Sequence, residues 1–176
     1  MIALVMVFII FLIFFGFIGA SRGWAKEVLV IASVILALAV ITLLEDLLKL
    51  DQIVRNDVVW YWIKMFILFS LVLFGYQSPK VSRISKATEK RAQIGDWLLG
   101  LVLGIFSGYF VVGTAWYFSD AAKYPLLSDF IRPPAANFAE LTETVLGILP
   151  PTWLDSPLTV FIAVVIIFIF VIIYFL

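Results

Sequence analysis

The sequence predicts an all-α fold, a polytopic bundle of transmembrane helices with five spans. Of its 176 residues 64% are hydrophobic and 14% are charged, whereas soluble domains are about 45–50% apolar and about 25% charged. The mean hydropathy is +1.16. Uninterrupted apolar runs recur along the whole chain, each long enough to cross about 30 Å of hydrocarbon at about 1.5 Å per residue. Such segments must be helical, because hydrocarbon leaves an open backbone no other hydrogen-bond partners.

The first two predicted spans form a tight helical hairpin. They cover residues 2–20 and 28–44, and a short polar turn at 21–27 separates them. A cleavable signal peptide is the alternative for the first span, but no Lys or Arg precedes the apolar run, which exceeds the usual length of about 7 to 15 residues. We therefore expect this span to be retained.

The other three predicted spans are separated by longer polar connections. They cover residues 58–76, 97–118 and 158–176. The apolar series Leu43, Leu47, Leu50 and Val54 indicates that the second span continues past the interface as an amphipathic piece.

A short interfacial helix is predicted near 137–149. Leu141, Val145 and Leu149 recur there at helical spacing, and Asn137 with Glu140 resembles a capping box. We divide the chain into a four-helix membrane domain at 1–150, which includes this helix, and a Pro-rich elbow with an additional transmembrane helix at 151–176.

The composition excludes several classes of function. The chain has no Cys and no His, so it has no thiolate or imidazole ligand for a metal and no Ser-His or Cys-His nucleophile. Its 12 basic and 12 acidic residues give no net charge, so the overall basic footprint of a nucleic-acid-binding protein is missing. We expect no catalysis, no cofactor and no metal site.

Basic residues predict the orientation of the bundle. The turn and the connection at 77–96 together hold seven of them, whereas the connections on the opposite side are acidic. Since the side rich in Lys and Arg faces the cytoplasm, we expect the amino terminus outside and the carboxyl terminus inside. The seven residues are Arg22, Lys26, Lys80, Arg83, Lys86, Lys90 and Arg91.

Three glycines of the fourth span form a predicted packing surface. Gly100, Gly104 and Gly108 are spaced by four residues and share one helix face. Without side chains on that face, a neighbouring helix can approach closely. A flexible gating helix is the alternative.

Lys64 is the one charged residue inside a predicted span, and intramembrane charges mark ion routes by default. It follows Asp57 by seven residues, about 10 Å along the helix. We expect its long side chain to reach the interface near Trp60 or to pair with Asp57, and an ion route is the alternative.

The basic residues of the cytoplasmic side are candidate contacts for lipid or protein. Arg22, Gly23, Lys26 and Glu27 form the turn, where the bases can meet lipid phosphates and Glu27 can favour the dipole of the second helix. Lys80, Arg83, Lys86, Lys90 and Arg91 can attract anionic lipid or an acidic partner.

Two motifs resemble those of the colicin V production protein (CvpA) family of bacterial inner membranes. The first motif is Gly19, Arg22, Gly23, Lys26, Glu27, Val28 and Leu29. The second is Asp96, Gly100, Gly104 and Gly108. Ser107 stands where the family has a basic residue, the family's acidic residue early in the first helix is missing, and the fifth span exceeds its usual four.

The resemblance implies a non-enzymatic inner-membrane protein that supports toxin export, secretion or envelope homeostasis by docking partners. It would act with a protein partner or as a homo-oligomer. One alternative is a structural accessory subunit of an electron-transfer or light-harvesting complex, which packs against other subunits without ligating cofactors. The other alternative is a small transporter or channel that uses Lys64 and the glycine helix.

Overall fold

A computed structural model describes residues 4–54, 56–77, 90–125 and 136–175. All regular structure in these ranges is helical, which confirms the predicted fold class. The helices are α1 Leu4–Arg22, α2 Trp24–Asp46, α3 Leu50–Ile53, α4 Asp57–Tyr76, α5 Lys90–Ala121, α6 Ala136–Leu146, α7 Pro150–Trp153 and α8 Pro157–Phe175. By length and composition α1, α2, α4 and α5 can each cross a membrane, and α8 contributes a shorter apolar run, Pro157–Ile173. The chain is a multi-pass membrane protein.

The junction between α1 and α2 is a single residue, Gly23. Its φ of 87° lies in the left-handed region that glycine adopts without strain, and its N–H donates to the carbonyl of Gly19 at 2.9 Å. Because one glycine reverses the chain, the predicted turn at 21–27 is mostly helical. Arg22 ends α1, and Glu27 lies in the first turn of α2.

Packing in the bundle does not follow the order of the chain. α1 packs mainly against α5, while α2 packs against α4, α5 and α8. Val34 of α2 and Leu68 of α4 are fully buried in the main apolar core, which Phe110 and Val111 of α5 complete. Leu154 and Val160 belong to the same core, so the segment at 151–176 is packed onto the domain predicted at 1–150.

The bundle has two ends, which we name for reference. The turn end holds the α1–α2 junction and the last residues of α4, and the far end holds the last residues of α2 and the first of α4 and α8. At the far end, the predicted continuation of the second span is interrupted. α2 ends at Asp46, Lys49 adopts a left-handed φ of 47°, and α3 is a separate short helix.

The interfacial helix is shorter than the predicted 137–149. α6 ends at Leu146, and Leu149 is extended before Pro150, as expected of a residue that precedes proline. The side chain of Leu149 is fully buried with Val5, Phe8 and Trp116. The Pro-rich segment is thereby anchored to α1 and α5.

Candidate functional site

Polar residues of the first motif converge at the turn end around Glu27. The Glu27 side chain is 0% exposed. Its Oε1 lies 2.8 Å from Nη1 of Arg22, and its Oε2 accepts a hydrogen bond of 2.5 Å from the hydroxyl of Ser107. Each carboxylate oxygen therefore has a donor, which is the condition under which a buried charge is tolerated.

Arg22 extends this group to the end of α4. Its guanidinium lies 4.1 Å from the centre of the Tyr76 ring, and its Nη2 donates to the Tyr76 carbonyl at 3.3 Å. A cation is favourable there because the last carbonyls of a helix carry partial negative charge. We call Arg22, Glu27, Tyr76 and Ser107 the turn cluster.

The turn cluster joins the α1–α2 junction to α4 and α5. Arg22 was expected to contact lipid or a partner, but its side chain is 18% exposed and its described bonds are internal. Sequence reasoning missed the role of Ser107, which lies 80 residues from Glu27. The available signal was its position one residue before a glycine of the second motif.

The structure places the three predicted glycines of α5 against α1. A Cβ built on Gly104 would lie 3.0 Å from the Cα atoms of both Gly16 and Gly19, and one on Gly108 would lie 2.7 Å from the Phe15 Cβ. A Cβ on Gly100 would also clash with Gly19. Glycine is thus required on both helices, and Gly16 is a member of this contact that sequence reasoning missed.

Lys64 forms an ion pair near the far end with a residue that the sequence did not indicate. Its Nζ lies 2.6 Å from Oε1 of Glu45 on α2, rather than pairing with Asp57. The same Glu45 oxygen accepts a hydrogen bond of 3.0 Å from the Trp60 indole. The ammonium also lies 5.4 Å from the centre of the Phe118 ring, within the range of a cation–π contact.

The remaining predicted basic contacts are described in part. Lys26 is half-buried, and within the described ranges no ion pair involves it. Lys90 and Arg91 begin α5, but their side chains lie outside the described part of the chain. Lys80, Arg83 and Lys86 lie outside the described residues altogether.

A second polar group follows the end of α5. The Tyr124 hydroxyl donates to Oδ1 of Asp120 at 2.7 Å and accepts from the Trp116 indole at 3.3 Å. Burial, with the hydrogen bond to Asp120 as a smaller cause, raises the pKa of Tyr124 to about 12. The phenol is therefore neutral at physiological pH and acts as a bridge between turns of the chain.

Metal binding has no support among the described residues, where no group of three or more acidic side chains is placed to hold an ion. The turn cluster instead has the properties of a structural linkage. Its one carboxylate is already bonded to a guanidinium and a hydroxyl, and both contacts are within 3 Å.

The chain was compared with known proteins and with models of protein families. No curated protein and no solved structure matches the chain. The family model described as "Colicin V production protein" matches residues 4–133. That range contains both motifs and, with them, the turn cluster and the glycine contact between α1 and α5. The chain therefore belongs to the colicin V production protein family.

Proposed function

We propose that the chain is a non-enzymatic membrane module that supports secretion or envelope homeostasis by docking partner proteins at its turn end. This end would lie on the cytoplasmic side of a bacterial inner membrane, with the amino terminus outside and the carboxyl terminus inside. The observation that carries the proposal is the buried turn cluster, in which Glu27 is bonded to both Arg22 and Ser107.

The turn cluster supports docking because it fixes the surface around it. It connects α1, α2, α4 and α5 at one level of the bundle. The helix ends from which the α1–α2 turn and the α4–α5 connection begin are therefore held in fixed positions. A preorganised surface loses less conformational entropy when a partner binds. Glu27 is 0% exposed and both of its oxygens are bonded to groups of the same chain, which favours a structural role for this carboxylate over catalysis or transport.

Charge supports an acidic partner. Lys26 lies one residue before Glu27 and has no ion pair within the described ranges. The connection between α4 and α5, which starts from the same end, contributes Lys80, Arg83, Lys86, Lys90 and Arg91 in the sequence. Such a concentration of basic residues favours encounter with an acidic segment of another protein.

Purification at native expression in mild detergent, followed by identification of stoichiometric companions, tests the proposal. We expect secretion or envelope proteins to accompany the chain, and the Lys26→Glu variant to retain less of them. Lys49→Glu is the matched control, since it reverses the charge of an exposed lysine at the far end. A chain that purifies without companions, or equal losses from both variants, would contradict docking at the turn end.

An accessory subunit of a larger membrane complex is the second candidate, and α8 favours it. One face of α8 packs on α2, while Ile166, Phe168 and Ile173 on its other side are each more than 60% exposed. Such a surface can pack against another membrane protein as well as against lipid. Companions from an electron-transfer complex in the same purification would select this function.

A further inference from the structure

A cleft separates α2 from α8 at the far end of the bundle. Its walls include Ala39, Leu43 and Asp46 of α2 and Pro157, Phe161 and Val164 of α8, and its volume is about 340 Å³. Leu43 is 54% exposed and Phe161 is 65% exposed. Since both helices are apolar, the cleft opens on a surface that faces membrane hydrocarbon.

The dimensions of the cleft favour a thin occupant. Its wall on the α2 side runs from Ala39 to Leu47, the residue after α2, which is eight steps along the chain and about 12 Å at the rise of an α-helix. This is little more than two helical turns, far short of the about 30 Å over which a membrane-spanning helix of another protein would pack, whereas a single, thinner hydrocarbon chain can lie within the cleft.

The part of the cleft nearest the far end of the bundle carries a negative charge. Asp46 is the last residue of α2, is exposed, and has no ion pair among the described residues. Asp155 lies two residues before the start of α8. Asp46 and Asp155 outnumber the exposed Lys49 that follows α2, so an ammonium group would be attracted at this position, whereas a headgroup with net negative charge would be repelled.

We infer that the α2–α8 cleft binds one acyl chain of a phospholipid with an ammonium headgroup, such as phosphatidylethanolamine, and that Asp46 contacts the ammonium. Bilayer hydrocarbon is as apolar as the walls of the cleft, so the hydrophobic effect gives no selectivity between lipids. Selectivity must therefore come from Asp46, while the walls determine how well the chain is held. The inference does not depend on the proposed docking function.

Lipid retention after transfer from defined bilayers tests the inference. The full chain is reconstituted in nanodiscs of equimolar phosphatidylethanolamine and phosphatidylglycerol with identical acyl chains, and is then released into mild detergent. Native mass spectrometry counts the lipids that remain bound. We expect one retained phosphatidylethanolamine per chain, and we expect Asp46→Asn to reduce its preference over phosphatidylglycerol by about two- to fivefold, the range for an exposed ion pair.

Two further variants separate the headgroup contact from the cleft itself. Asp51→Asn removes an exposed carboxylate of α3 that lies outside the cleft, so it should keep the wild-type preference. Ala39→Phe adds bulk to the cleft wall and should reduce retention of both lipids. The inference would be overturned if the wild type retained the two lipids equally, or if the two Asn variants had equal effects. It would also be overturned if the chain retained a second copy of itself and Ala39→Phe abolished that association.

Discussion

Glu27 illustrates how a charged residue can be accommodated inside a membrane protein. A carboxylate buried without partners would cost several kcal/mol or take up a proton. Here Arg22 supplies the opposite charge and Ser107 supplies a hydroxyl donor. The two partners bind different oxygens. Removing one partner therefore leaves the other bond in place and leaves one buried oxygen of Glu27 without a partner, which costs free energy.

Ser107→Ala should destabilise the bundle through Glu27. The substitution leaves Oε2 without its donor in a buried position, and hydrogen bonds to charged groups contribute about 1.5–3 kcal/mol. We expect the free energy of unfolding in mixed detergent micelles to fall by about that amount. Ser21→Ala is the control, because the exposed Ser21 hydroxyl bonds only to the Ile18 carbonyl of its own helix. Equal stabilities of the two variants would mean that Ser107 does not stabilise Glu27.

Lys64→Met should leave ion permeability unchanged. Lys64 is paired with Glu45, and Glu45 keeps its hydrogen bond from the Trp60 indole when the ammonium is removed. We expect the variant to fold and to give liposomes the same proton leak as the wild type. Lys64→Arg preserves the charge and serves as the control. A proton leak that changes in Lys64→Met but not in Lys64→Arg would show that the charge of Lys64 takes part in ion transport.

Tyr124 should make the protein sensitive to alkali. Its pKa in the folded protein is about 12, above the ordinary value of 10.0, so the unfolded chain loses this proton first. The stabilising contribution is complete below pH 10 and declines as the pH rises from about 10 to about 12. Unfolding measured across this window should show a smaller loss of stability for Tyr124→Phe than for the wild type. Parallel pH profiles would contradict the assignment.

At the scale of helices, the contact between α1 and α5 depends on glycine from both sides. Membrane helices associate through close packing and hydrogen bonds rather than through a hydrophobic force between them. Gly16 and Gly19 of α1 face Gly104 of α5 so closely that an added methyl group would contact backbone atoms. Backbone cannot move aside as a flexible side chain can, so the two helices themselves would have to separate.

Gly104→Ala should therefore destabilise the bundle although alanine is the better helix former. We expect a loss of about 1–3 kcal/mol, the range for overpacked cores, in unfolding measured in mixed micelles. Gly95→Ala is the matched control on the same helix, because no atom lies within 4 Å of its added Cβ. That variant should be neutral or more stable by up to about 1 kcal/mol. A stable Gly104→Ala protein would show that this face is not a tight contact.

At the scale of the whole molecule, the helices could be predicted from the sequence and their partners could not. Run length alone locates the apolar helices, because the thickness of the membrane sets the number of residues needed to cross it. Glycine spacing identified one side of the α1–α5 contact. The ion pair of Lys64 with Glu45 and the bond of Ser107 to Glu27 depend on which helices become neighbours. That arrangement is decided by packing, and α1 packs on α5 although a single residue joins it to α2.

The distribution of charge makes a prediction about the orientation of the entire bundle. The absence of cysteine means that single engineered cysteines report unambiguously on sidedness. Ser21 lies exposed at the turn end and Asp51 lies exposed on α3 at the far end. Because the basic connections belong to the turn end, the positive-inside rule places that end in the cytoplasm.

In intact cells, a membrane-impermeant maleimide should label Asp51→Cys and should leave Ser21→Cys unlabelled until the membrane is permeabilised. Leu176→Cys should behave like Ser21→Cys if α8 crosses the membrane, since four crossings, those of α2, α4, α5 and α8, would then separate the two residues. The cysteine-free parent gives the background signal. The reverse pattern at Ser21 and Asp51 would contradict the orientation. Labelling of Leu176→Cys together with Asp51→Cys would instead mean that α8 returns to the far side without crossing.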